Sequence, residues 1–142
     1  MNTRSSEIHL NNTSGENLLI VIDGHALIHR SFHAIQQPLT VSSSGEDVRA
    51  VYGFINAFIR SLSDWNPSHI VITFDLPSPT FRHEMFDEYK AHRPPTPPEL
   101  RGQFDRVRQL MSTFKVPIFE LKGFEADDLI GTISKQAEEL GI

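Results

Sequence analysis

The sequence predicts an α/β fold built on a parallel sheet with flanking helices. Three observations carry that prediction. Two short runs, Leu18 to Ile22 and Ile70 to Phe74, are apolar almost without a break, as strands buried on both faces are. Helical patterns stand between and after them, and alternation of strand with helix is the order a parallel sheet requires. Each run is followed at once by an aspartate, Asp23 and Asp75.

Residues 1–17 hold Asn, Ser and Thr with one Arg and no apolar core. They read as a loose tail ahead of a domain spanning 18–142, not as a secretory signal. After the first strand a helix is expected from about Ala26, with Ile28, Phe32 and Ile35 on one side. Pro38 and Ser42-Ser43-Ser44-Gly45 mark a loop. Val48, Val51, Tyr52, Ile55, Ile59 and Leu62 recur at threes and fours, the stripe of a packed helix that Asn66-Pro67 ends. Pro77 through Pro98, rich in charge and proline, reads as irregular. The next helix has Thr96 as its expected cap, Pro97 in its first turn and Glu99 completing a capping box. Leu100, Phe104, Val107, Leu110, Met111 and Phe114 form its apolar face. Val116 to Leu121 is a third strand, interrupted by Pro117. A last helix, Asp127 to Leu140, turns Ile130, Ile133, Ala137 and Leu140 inward, and Gly141 caps it. Ile142 reads as the first residue of a fourth strand, so the sheet is expected to be cut short there.

The chain has 142 residues, enough for one core and too few for two ordinary domains. No stretch approaches the ~18 apolar residues of a membrane-spanning helix. Cysteine is absent, which rules out disulfides and thiolate metal sites and fits an intracellular protein. The net charge of −5 argues weakly against a nucleic-acid partner. That argument loses force where divalent cations neutralise clustered acids.

Such a cluster is written into Gly123-Phe124-Glu125-Ala126-Asp127-Asp128, three carboxylates directly ahead of a helix. In open α/β sheets ligands sit beyond the carboxyl ends of strands, where Asp23 and Asp75 stand. Neighbouring strands would bring those two within roughly 5 Å. Glu125 and Asp128, three apart, are expected to share a face, with Asp127 to the side. Crowded acids repel unless cations are present. Two Mg²⁺ or Mn²⁺ ions about 4 Å apart would relieve the repulsion and clamp a phosphodiester for in-line attack. Each acid also has a plainer reading, since acids suit helix starts and Asp often opens a turn.

The segment from Phe81 to Arg93 mixes basic and aromatic residues. Arg82 and Lys90 can meet phosphates, Tyr89 or Phe86 can stack on an unpaired base, and Pro94-Pro95 stiffens a lid or arch. A solvated amphipathic turn is the bland alternative. Gly24 permits close backbone approach to a ligand. His25, His29 and His33 recur at four, but in line they do not readily reach one zinc ion. A surface or phosphate-contacting role suits them better, and Arg30 is a reasonable second phosphate contact.

Several stretches together resemble the N-terminal part of the 5′-nuclease family, the 5′→3′ exonuclease domain of bacterial DNA polymerase I and stand-alone flap endonucleases. They are Leu19 through Ala34, Val51-Tyr52-Gly53-Phe54, Thr80 through Glu84, Glu88-Tyr89-Lys90-Ala91-His92-Arg93-Pro94, and Gly123 through Thr132. The resemblance runs from about residue 18 to the end. It implies a PIN-like (resolvase-like) parallel sheet with a helical arch segment. It implies that Asp23, Asp75, Glu125, Asp127 and Asp128 hold two divalent metals, Mg²⁺ or Mn²⁺. It makes Lys90 and Arg93 the arch residues that act on the scissile phosphate. Arg30 and Tyr89 match its substrate-contacting positions, and Gly24, His25 and Arg82, read above from the residues alone, join them as expected DNA contacts. The implied substrate is DNA with a free 5′ end or flap, cut to 5′-phosphorylated products, in the cytoplasm beside the nucleoid.

The family's Gly-Asp-x-Asp motif, further acids and helix–hairpin–helix module have no counterpart in this sequence. The expected partner is therefore a C-terminal nuclease portion or a polymerase domain, and the 142 residues alone are expected to be inactive. Two other readings stand beside this one: a non-catalytic DNA-binding or interaction fragment, and a PIN-like RNA nuclease with the same acids. A haloacid-dehalogenase-like phosphatase is disfavoured because residue 25 is His where Asp-x-Asp is needed.

Overall fold

Strands β1 (Leu19–Asp23) and β2 (His69–Thr73) pair in parallel, Leu19 opposite His69 and Asp23 opposite Thr73. The computed structural model describes residues 17–142, so the expected tail lies, but for Asn17, outside the described residues. Strand β3 (Ile118–Phe119) joins the other edge of β2, giving a sheet in the order β1-β2-β3. All strands run parallel, as the β-branched runs predict. β3 is two residues long where six were expected. Pro117 has no N–H for the ladder, although its carbonyl still accepts from Ile72 N at 3.0 Å.

Five helices complete the described residues. They are α1 (Gly24–Ala34), α2 (Arg49–Trp65), α3 (Phe81–Met85), α4 (Pro98–Thr113) and α5 (Ala126–Glu139). The short α3 lies inside the stretch expected to be irregular. Ile22, Ile72 and Phe74 share the parity that points to one sheet face. There they join Ile28 and Phe32 of α1, Ala50, Phe54 and Phe58 of α2, and Leu100, Phe104, Val107 and Met111 of α4 in one core. α5 touches β1 and β2 but contributes nothing to that cluster, so it covers the opposite face.

Several helix expectations shift in detail. α2 buries Ala50, Phe54 and Phe58, while Tyr52 and Ile59 of the expected stripe are more than half exposed. The buried arc is turned because α2 must meet both α1 and α4. Phe114 and Leu140 are likewise exposed, each standing at the cap just past the last residue of its helix. Thr96 does not cap α4. Pro98 holds its neighbour Pro97 extended (φ −52°, ψ 139°), so the helix opens one residue later and Thr96 falls outside it. Asn66 (φ +42°) ends α2 and Gly141 (φ +76°) follows α5, both left-handed as the sequence indicates.

Gln103 is a buried polar residue that no helical pattern would single out. Its Oε1 accepts from Ala50 N (2.7 Å) and Val51 N (3.3 Å), and its Nε2 donates to Glu99 O (2.9 Å). Val48, at the α2 cap position, offers no side-chain bond. A residue of α4 thus satisfies the orphan N–H groups at the start of α2.

Candidate metal and nucleic-acid site

The chain turns at Asp23 because its Oδ1 accepts from Ala26 N at 2.9 Å and caps α1. The next residue, Gly24, is buried against β2. A Cβ there would stand 2.6 Å from the Phe74 ring and 2.8 Å from Ile72 Cγ2. The glycine is thus explained by helix-on-strand packing, where the sequence suggested close approach to a ligand. At the end of β2, Asp75 Oδ1 accepts from Ala126 N at 2.6 Å. That bond pins the α5 N-terminus beside the two strand ends, where its unpaired N–H groups favour a carboxylate.

A cavity of about 690 Å³ opens at this junction. Its acidic lining is Asp23, Asp75, Glu125 and Asp127, and its basic lining is Lys90 and Arg93. His25, His29 and the Pro94-Pro95-Thr96 stretch complete the walls. Acids from three separate elements thus reach one opening. Glu125 and Asp128 share a face, as their spacing suggests, for Arg82 reaches both, but only Glu125 lines the cavity. Asp128 bends back, its Oδ2 accepting from Glu125 N at 2.9 Å, and is gripped by Arg82 in a two-pronged pair of 2.8 and 2.7 Å. Asp127, expected to the side, lines the cavity and makes no side-chain bond among the described residues.

Glu125 is buried and heavily partnered. Lys90 Nζ donates to it at 2.7 Å, Tyr89 Oη at 3.0 Å, and Arg82 lies 3.5 Å away. Burial pushes its carboxyl up, but the Lys90 and Tyr89 bonds outweigh that and hold it below the usual range. The Arg82 bonds pull Asp128 down to about 2 against a smaller effect of burial. Its contribution to stability is therefore complete above the ordinary carboxylate range and is lost as pH falls through about 2. Carboxyl NMR should find Asp128 titrating near that value, returning towards the ordinary range in Arg82→Gln. An Asp128 titration identical in both proteins would contradict the ion pair.

The basic segment leans onto these acids. Lys90 holds φ +59°, a left-handed conformation that costs a non-glycine residue roughly 1–2 kcal/mol. The strained turn carries Nζ to Glu125. Arg93 lines the cavity without an ion pair among the described residues. Tyr89, read from sequence as a stacking group, spends its hydroxyl on Glu125. Burial lowers His25, whose ring packs 4.7 Å from Phe104 and 5.0 Å from His29, although Asp75 and Asp23 oppose the shift. Burial also lowers His29, and the repulsion a charged ring would meet from Arg93 and the neighbouring histidines adds to it. The four-residue histidine spacing signalled a shared face. Only the cavity shows His29 on the wall of the site.

Arg30 is not brought to this site. It lines a second cavity, about 810 Å³, between α1 and α2 with Tyr52, Arg60 and Trp65. The first cavity's oxygen-only acids suit Mg²⁺ or Mn²⁺ in kind. Among the described residues, however, no three His, Asp or Glu stand together closely enough to form a ready ligand set. The four acids share a rim, and one of them, Glu125, is engaged by Lys90, while Asp128 beside the cavity is held by Arg82.

A family model described as the 5′-3′ exonuclease N-terminal resolvase-like domain matches residues 18–142. The chain is 42% identical over 125 residues to DNA polymerase I of Chloroflexus aurantiacus, covering 88% of this chain and 13% of that protein. It is 42% identical over 126 residues to DNA polymerase I of Geobacillus stearothermophilus, covering 89% and 14%. The chain thus spans only about a seventh of these relatives' length. Among solved structures it is similar to T5 5′-exonuclease with bound zinc, at a TM-score of 0.58 and 21% identity, covering 88% of this chain and 46% of that one. A bacteriophage T5 flap endonuclease complex with DNA and metal ions matches at a TM-score of 0.54 and 20% identity, covering 86% and 45%. At these identities the solved structures speak for the fold, which is the PIN-like parallel sheet the sequence predicts.

Proposed function

The chain belongs to the family of 5′-3′ exonuclease N-terminal resolvase-like domains, and from that premise we propose that it forms the acidic part of a nuclease site acting near DNA 5′ ends and flaps. The observation that carries the reading is one cavity lined by Asp23, Asp75, Glu125 and Asp127 together with Lys90 and Arg93. Those four acids would hold the divalent ions, with Asp128 held beside them by Arg82. Mg²⁺ or Mn²⁺, when bound, supplies charge that clamps the phosphate oxygens and acidifies the attacking water. Lys90 exchanges Glu125 for a phosphate oxygen when DNA arrives, and Arg93 brings a second positive charge to the transition state. Tyr89 offers its ring to the base next to the scissile bond, and neutral His25 offers an N–H donor. Arg30 meets a more distant part of the DNA along the second cavity. The place of action is the cytoplasm beside the nucleoid, with a C-terminal nuclease portion or polymerase domain as partner.

Lys90→Ala and Arg93→Ala should each reduce the salt slope of single-strand binding by roughly 0.7. A slope unchanged by both would place these side chains off the backbone. Joined to the C-terminal nuclease portion of a relative, the chain should release 5′-phosphorylated fragments from a flap with Mg²⁺ or Mn²⁺, and Asp75→Ala should abolish this. No metal-dependent cleavage by that chimera would overturn the proposal. The 142 residues alone should cut poorly, because acids on a rim are not in ligand geometry and a misplacement of about 1 Å can cost a hundredfold.

A further inference from the structure

We infer that Arg82 is a positioning residue that latches the 81–93 segment to the acidic turn opening α5, and is not a phosphate contact. Lys90 makes one ion-pair bond, to Glu125, and can exchange it for a phosphate oxygen; Arg82 is held at more points. Its guanidinium is spent on Asp128, with bonds of 2.8 and 2.7 Å, and lies 3.5 Å from Glu125. Asp128 in turn holds Glu125 N. The latch has two further parts. Phe81 N donates to Gly123 O at 3.1 Å, and the Phe81 and Phe124 rings meet at 5.8 Å. Arg82 also lies over the Phe81 ring at 4.5 Å, so its guanidinium sits between an aromatic face and two carboxylates. The start of the segment is thereby bound to α5 by backbone, ring and charge at once.

The consequence is a division of labour among neighbouring acids. With Asp128 held by Arg82, Glu125 and Asp127 are the α5-end acids that line the cavity. The same contacts fix where Tyr89 and Lys90 begin their approach to Glu125. The planar fork matters as well as the charge, since a lysine ammonium cannot make two parallel bonds to one carboxylate.

The test is amide hydrogen exchange on the full 142-residue chain without metal or DNA. Arg82→Gln and Arg82→Lys should both speed exchange in 81–86 and 125–129, by roughly tenfold, the loss expected for a charge-assisted bond. Asp128→Asn should reproduce the effect, and combining it with Arg82→Gln should add little, as partners in one contact are not additive. Unchanged exchange in Arg82→Gln would overturn the inference. A second readout rests on the proposed DNA site. The salt slope of single-strand binding should be unchanged in Arg82→Gln. A slope that falls by about 0.7 in Arg82→Gln and is restored in Arg82→Lys would make Arg82 a phosphate contact and overturn the inference. Should DNA binding fail altogether, the exchange experiment still decides the matter.

Discussion

Asn in place of Asp75 is expected to lower the affinity of the chain for Mn²⁺ by about tenfold or more while leaving the fold intact. The substitution separates the two things Asp75 does. Its Oδ1 accepts from Ala126 N, and an asparagine carbonyl can take over that bond. The negative charge at the cavity cannot be taken over. A carboxylate that holds a metal contributes at least as much as the outer partners whose loss typically costs 10–100-fold in affinity. Asp127→Asn should behave alike, since Asp127 lines the same cavity without competing side-chain bonds among the described residues. Calorimetric titration with Mn²⁺ measures both. Wild-type affinity in both variants would remove these carboxylates from ion holding and leave Asp75 as a structural cap of α5.

The second large effect is on stability. Gly24→Ala should destabilise the domain by roughly 2–3 kcal/mol, read as a lower urea midpoint. A Cβ at residue 24 would stand 2.6 Å from the ring of Phe74, which is 1% exposed and walled in by the core. Neither ring nor strand can retreat without opening a void elsewhere. Set against a typical total of about 5–15 kcal/mol, the loss is severe. A wild-type urea midpoint in Gly24→Ala would mean that β2 yields to α1 and that the glycine serves something other than packing.

Much of the architecture was legible because it depends on short-range patterns. Leu18 to Ile22 and Ile70 to Phe74 are β-branched apolar runs of strand length, and both strands formed within one residue of their expected bounds, although β1 lies at an edge of the described sheet and is mostly half-buried. Asn66-Pro67 and Gly141 marked helix ends because few residues tolerate the backbone required there. The α2 face and the α4 cap were harder. A helix can bury more than one arc, and the choice of Phe54 and Phe58 over Tyr52 and Ile59 was made by α1 and α4. The capping box expected at Thr96 gave way to the local geometry of Pro97-Pro98.

Sequence alone determined the parallel α/β class, the family, and the arrival of Asp23, Asp75 and the Glu125-Ala126-Asp127-Asp128 turn at one end of the sheet. Strand direction and residue spacing are enough for that. Tertiary structure decided what each acid touches. It turned Asp127 to the cavity and Asp128 to Arg82, tied Lys90 and Tyr89 to Glu125, and left Arg30 at a separate groove. Those choices depend on contacts between residues about 35 to 50 apart in sequence. A charged side chain settles on whichever partner the packed elements bring within about 3 Å, and no local pattern specifies that partner.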